Sequence, residues 1–474
     1  MLTYDVEIWS IRCRKGRPKP YELRWRVGTR PHSKSYKVRA QADGRRSELL
    51  TALRNREQFE ESTGLPAGEF EALNTPTWFE HARSYALMKW PRAAAKHRAS
   101  IAEALAIVTP TFVATTRGAP DRKVMRRALY SYAFRAAVDA DGRMLLNEAG
   151  TPMTRAEAGE PPAEVAAALA WLAKNSLKVP EAAQPKRMRA ALAALSLKLN
   201  GEPAADNTVN RKVMVLSNAM RFAIEAGTLS RHPLLGIDWE PPKTDDEIDF
   251  RYVPGPAQAR ALIRAVGEQG PRGEHLEGFF GCFYYAAMRP GEISSVKEAD
   301  CVLPAEEEPD AWGELLLEEN RPEVGSGWTD SGKSYDQRGL KHRARKATRP
   351  VPIPPVLVRM LREHLKRYGT APDGRLFRAA RGGRVRSNEY CELWARAREM
   401  AFSPHEFASP LAEDPYSCRR AGISLWIKAG VDPVEVARRA GHSLAVLYRF
   451  YARLLRGGQT RANDLIAKEL EADE

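Results

Sequence analysis

The sequence predicts an α+β fold, mainly α and multidomain: a small N-terminal β-sheet plus helix, a helical middle segment, and a mostly helical C-terminal segment with a small antiparallel sheet. Three observations predict it. Runs of alternating polarity are confined to the first forty residues and to about 314–354. Amphipathic stretches with capped ends dominate the rest. A proline- and acid-rich stretch at 238–256, DWEPPKTDDEIDFRYVPGP, shifts the composition between two helical regions and reads as a linker. At 474 residues, two or three domains are expected.

The first domain is placed at 1–66. In YELRWRVGTR, Leu23, Trp25 and Val27 fall on one face, with Arg24 and Arg26 on the other. RPHSK reads as a turn and SYKVRA as a second strand. RRSELLTALRNREQFEESTG then reads as a helix beginning near Ser47 and closed by Gly64. Met1–Leu65 holds fifteen Lys plus Arg against eight Asp plus Glu. The polar face is therefore either a solvated basic surface or a sheet laid into a nucleic-acid groove.

Residues 74–240 follow a helical pattern. It is interrupted at Asp139–Glu160 by a polar, Gly-bearing stretch that reads as an inserted hairpin or loop. Its last unit, NTVNRKVMVLSNAMRFAIEAGTLSRHPL, is a long amphipathic helix stopped by Gly227 and Pro233. In the third domain, 257–474, the most apolar run is Leu276–Met288, which suits a core helix and is too short to span a bilayer. ELLLEE (314–319) and ATRPVPIP (347–354) read as strands. The loop between them crowds Arg338, Lys341, Arg343, Arg345, Lys346 and Arg349. That cluster is either a solvated hairpin tip or a phosphate grip.

The formal charge of +14, from 74 basic against 60 acidic residues, favours an acidic polymer as partner. The five cysteines are scattered, without metal-ligand spacing or a disulfide framework, which suits a reducing compartment. The N-terminal MLTYDVEIWSIRCRKG has no apolar core of a signal peptide. A cytoplasmic protein with no membrane partner is expected.

Punctuation near the C-terminus is clear. Asp414-Pro415 opens a helix that Gly430 ends; Asp432-Pro433, with Glu435, opens another that Gly441 ends; Ser443 caps a third that closes at Gly457-Gly458. Arg419 falls in the early turns of the first helix and His442 in the turn before the third, where helix N-termini favour an anion. Upstream, FFGCFYYAAMRPGEISSV ends an apolar helix near Met288. Pro290 keeps Arg289 out of it, and Glu292 is placed to hold that arginine. A structural ion pair would look the same.

The ordered set AAMRPGEISSV, GLKHRARKATRPVPIP, DPYSCRRAGISLWIKAG and RRAGHSLAVLYRFYA, with a tyrosine nine residues after the His, resembles the tyrosine recombinases of the phage-integrase family. The resemblance is strongest over 257–460. It implies an arm-site DNA-binding domain at 1–66, a core-site DNA-binding domain at 74–240 and a catalytic domain at 257–474. On the 1–66 face, it favours Arg24 and Arg26 as DNA contacts.

The resemblance also implies that Tyr451 attacks a DNA phosphodiester, giving a 3′-phosphotyrosyl link and a free 5′-hydroxyl. A phenol is a poor nucleophile at neutral pH, so cations must stabilise its phenolate and the crowded phosphorane. Arg289 and Arg419 would do so, His442 would add a hydrogen bond, and Lys341, with Lys346 as runner-up, would protonate the leaving 5′-oxygen. Arg338, Arg343, Arg345 and Arg349 would grip the backbone.

One position departs from the family. Tyr416-Ser417-Cys418-Arg419 places Tyr416 where the family usually has His, and a phenol does not readily accept a proton at pH 7. Tyr448 is expected in the core or as a supporting contact, with Leu444, Val446, Leu447 and Phe450 seating its helix. The tail RANDLIAKELEADE reads as a terminal helix docked on a neighbouring subunit.

The implied partners are double-stranded DNA with core and arm attachment sites and a homotetramer on that DNA. A directionality factor and a host bending protein are possible additions. No metal, ATP or other cofactor is expected. Two alternatives share parts of the pattern: a type IB topoisomerase-like enzyme, and a non-catalytic DNA-binding protein on a recombinase scaffold.

Overall fold

The computed structural model describes residues 1–244, 248–340 and 347–456, with Asn463, Ala467 and Leu470. Lys341, Arg343, Arg345 and Lys346, the Gly457-Gly458 stop and nearly all of the tail lie outside the described residues. The fold is α+β and mainly α, with small antiparallel sheets. Contacts divide the chain into two compact units. One comprises Met1–Lys89, Ile101–Ala136 and Thr154–Pro241; the other comprises Trp90–Ser100, Ala137–Met153 and Pro242–Glu474.

In the first unit, strand Tyr21–Val27 alternates as expected: Leu23, Trp25 and Val27 face the core, while Arg24 is exposed. The RPHSK turn is corrected. Arg30–Tyr36 is itself a strand, paired residue for residue with Tyr21–Val27, and the turn is Gly28-Thr29. Gly28 supplies the φ of +55° that so short a hairpin needs.

The following helix is also corrected. It spans Arg39–Arg54, beginning well before Ser47, because Ala42, Leu49 and Ala52 form one buried stripe. It ends before Gly64 because Phe59, fully buried, starts a strand instead, Phe59–Glu60, paired with Leu2–Thr3 and Leu65–Pro66. Beyond this sheet the unit is helical. Helix Asp206–Glu225 buries Val209, Val213, Leu216, Met220 and Ala223, the spacing of one helical face.

In the second unit, the Asp139–Glu160 insertion begins as a hairpin, with Val138 bridging Met144 and Leu146 bridging Pro152. The core is built around helix Gly270–Tyr285, whose Phe279, Phe280 and Phe283 are buried; Phe280 stacks on Trp394 at 5.3 Å. The expected strands form a three-stranded antiparallel sheet. Gly313–Leu317 lies between Cys301–Val302 and Arg349–Ile353. Three short helices, Tyr416–Lys428, Pro433–Ala440 and Leu444–Arg456, close the unit.

A candidate phosphate site around the Ala440–His442 turn

Asp432 caps Pro433–Ala440 by accepting from the N–H groups of Val434 (2.7 Å) and Glu435 (3.3 Å). At the other end Gly441 takes a left-handed conformation (φ 63°), His442 N–H bonds back to Ala437 O (2.9 Å) and Gly441 N–H to Arg438 O (3.2 Å), a Schellman ending. The turn thereby presents the carbonyls of Ala440 and Gly441 and the ring of His442 together.

Both predicted arginines converge there. Arg419, from helix Tyr416–Lys428, is fully buried. It donates to Ala440 O (2.7 Å), to Ala287 O and to His442 Nε2 (2.8 Å). Ala287 stands just past helix Gly270–Tyr285 at φ 44°, rare for a residue with a Cβ. Arg289 is extended (φ −81°, ψ 149°), as the following Pro290 dictates, and donates to Gly441 O (2.8 Å).

Glu292 holds Arg289 as expected, through the backbone N–H (2.8 Å) and Nη1 (2.9 Å). It also holds a second arginine. Arg349, assigned from sequence to the DNA-gripping hairpin, is only 1% exposed and makes a two-pronged pair with Glu292 at 3.0 and 2.8 Å. Its guanidinium is thus tied to Glu292 and does not stand free on the hairpin. Along Arg349–Ile353 alternate residues are buried, so Arg349 shares the inward face of Val351 and Ile353. Burial alone would raise the Glu292 carboxyl, but Arg349 and Arg289 outweigh it and hold the group at about 2.

His442 is held at about 3, first by burial and then by the charges of Arg419, Arg289 and Arg349. It is therefore neutral at pH 7. Because Arg419 donates to Nε2, the proton sits on Nδ1, a buried atom with no partner among the described residues. Among the described residues, Arg419 has no carboxylate of its own. Three guanidinium groups stand against the Glu292 carboxylate, an excess of two positive charges around one turn.

The tyrosines separate in an unexpected way. Tyr448, expected inside, is 51% exposed, and Leu444 is 40% exposed. Tyr451 is 2% exposed and packs in the core, where burial pushes its phenol well above the ordinary range while Arg419 and Arg420 pull the other way. The helix Leu444–Arg456 is broken at Tyr451 (φ −117°, ψ 16°), and just before the break Phe450 O accepts from Ile248 N–H (3.2 Å). Tyr416 lies near Arg419 and Arg420, whose guanidinium carbons stand 5.8 and 5.6 Å from its ring.

The remaining predicted contacts are scattered. Arg338 is half-buried, with Asp336 at 3.8 Å. Arg24 stacks on Trp9 at 5.1 Å, and Arg26 pairs with Asp5 (3.0 Å) and Glu7 (3.7 Å), so part of the basic face is neutralised. Among the described residues, no group of three or more His, Cys, Asp or Glu is placed to hold a metal, and no helix is long and apolar enough to cross a membrane.

No family model and no curated protein matches the chain. Solved structures that it resembles include the Tn1549 transposon integrase in complex with a circular intermediate DNA, 16% identical over 62% of this chain and 90% of that one, at a TM-score of 0.46. A lambda integrase dimer bound to a COC′ core site is 12% identical, covering 93% of this chain and 94% of that one, TM-score 0.45. The XerH site-specific recombinase bound to difH is 9% identical, covering 74% and 91%, TM-score 0.41.

Proposed function

We propose that the chain is a site-specific tyrosine recombinase of the integrase kind, cutting and rejoining double-stranded DNA to move a phage or mobile element. The observation that carries this reading is the convergence of Arg289, Arg419 and His442 on one turn with positive charge in excess. Such a site suits a doubly charged, five-coordinate phosphorane. Tyr451 Oη attacks the scissile phosphorus and releases its proton to solvent water, the P–O5′ bond breaks, and the departing oxygen takes a proton from Lys341, or from Lys346 in its place. The enzyme is left joined to the 3′-phosphate. Arg289 and Arg419 neutralise the non-bridging oxygens, and His442 adds an N–H. Reversal by another strand's 5′-hydroxyl completes the transfer. The bond energy is retained, so neither ATP nor a metal is required.

The working assembly is a homotetramer on two sites, with 1–66 reading arm sequences and 74–240 reading core sequences. The decisive experiment traps covalent protein–DNA adducts on a nicked duplex and maps the linked residue. Linkage at Tyr451 supports the proposal. Linkage elsewhere, or no adduct at any sequence, sinks it. Efficient supercoil relaxation by a monomer without sequence preference would mark a topoisomerase instead.

A further inference from the structure

We infer that Arg349 is a positioning residue for the reaction, acting on Arg289 through Glu292 and on the His442 turn through Gly441. This rests on the recombinase reading above.

Glu292 accepts from four donors. Oε1 takes Arg289 Nη1 and Arg349 Nη1; Oε2 takes the Arg289 backbone N–H and Arg349 Nη2. That exhausts the lone pairs of a carboxylate and leaves it no freedom to turn. Arg289 consequently receives only part of the carboxylate's charge, and its Nη2 stays on Gly441 O (2.8 Å), at the anion site. With Arg349 absent, the carboxylate would be free to chelate Arg289 with both oxygens. The guanidinium would then be neutralised and drawn away from the turn.

The same arginine accounts for the glycine. A Cβ on Gly441 would collide with Arg349 Nη1 and come within 3.2 Å of Arg289 Nη1. Position 441 therefore excludes a side chain for two reasons, its φ of 63° and the two guanidinium groups packed against it. Arg438 adds a tie from the other side, donating to Pro350 O (3.2 Å) and so fixing the strand that carries Arg349 against the helix that ends at Gly441.

The test compares the full-length wild type with Arg349→Lys, Glu292→Gln and the double variant. It reads the single-turnover rate of adduct formation at saturating nicked duplex, the Kd for that duplex, and the melting temperature. Lysine keeps the charge but cannot span both carboxylate oxygens. Arg349→Lys is expected to keep the wild-type Kd and to lose about 100-fold in cleavage, the scale of a misplaced catalytic group. The double variant should lose no more than the worse single one, because both act through one contact.

Wild-type cleavage by Arg349→Lys, or losses that multiply in the double variant, would overturn the inference. If Arg349→Lys does not fold, Glu292→Gln decides, since it removes the shared acceptor without crowding or straining the turn. Slowed cleavage with intact DNA binding supports the inference, and wild-type cleavage overturns it. Absence of adduct with the wild type would overturn the recombinase reading itself, and the inference with it.

Discussion

Tyr448 and Tyr451 stand one helical turn apart and meet opposite environments, one half-exposed and the other packed in the core. The sequence separated them by their distance from His442; burial was misread because Leu444 does not seat the helix. The buried face runs through Leu447 and Tyr451 and leaves Leu444 and Tyr448 exposed. We predict that Tyr451→Phe abolishes adduct formation while leaving DNA binding unchanged. Tyr416→Phe should retain measurable cleavage, since its ring keeps both neighbouring arginines and the lost hydroxyl is no general base. Equal loss in both, measured on one nicked substrate, would show that Tyr416 is essential. Arg289, Arg419, His442 and Glu292 were legible because prolines, glycines and caps mark their places. The inward orientation of Arg349 was not legible: its position within a basic run concealed the strand alternation that turns it inward.

At the scale of elements, the C-terminal helices were legible from capping chemistry, whereas the N-terminal helix was not. Its start lacks a capping side chain, so Ser47 was the first visible signal although the helix begins at Arg39. Asp432 is the opposite case, an aspartate that accepts from two N–H groups. Asp432→Ala should destabilise the second unit by about 1 kcal/mol, the usual worth of such a cap. In a thermal melt this appears as a fall of roughly 2–4 °C for a unit of this size. Cleavage per folded molecule should change little, because the Schellman ending that presents the turn is at the far end.

For the whole molecule, composition favours an acidic polymer as partner and the ordered motifs resemble a known family, but neither indicates which buried groups resist charging. His275 and His442 are each held at about 3, the former by burial and then by His364, Arg272 and Arg378. Between there and the ordinary imidazole value of about 6.5, the unfolded chain binds protons that the folded chain refuses. The resulting stability is fully present above that window and is lost as the pH falls through it. A melting temperature that declines from pH 7 to pH 5, less steeply in His275→Gln, is the expected result. DNA affinity should also fall with added salt, by about 10³–10⁵ between 50 and 200 mM if six to ten phosphates are contacted. A shallow slope would show that the basic excess of +14 is not engaged.

If the proposed function holds, the buried phenol of Tyr451 makes the chain without DNA a reservoir of protected nucleophile. Withdrawing one aromatic side chain from apolar packing costs about 1.5–3 kcal/mol. A free energy of that size leaves the exposed conformer at roughly 0.6–7% of molecules, within the usual range of minor states. Under the proposed function, a site that prefers that conformer must provide the difference from its own binding energy. Random duplex would then be held without being cut, and discrimination between sequences would appear in the rate of nicking more than in affinity.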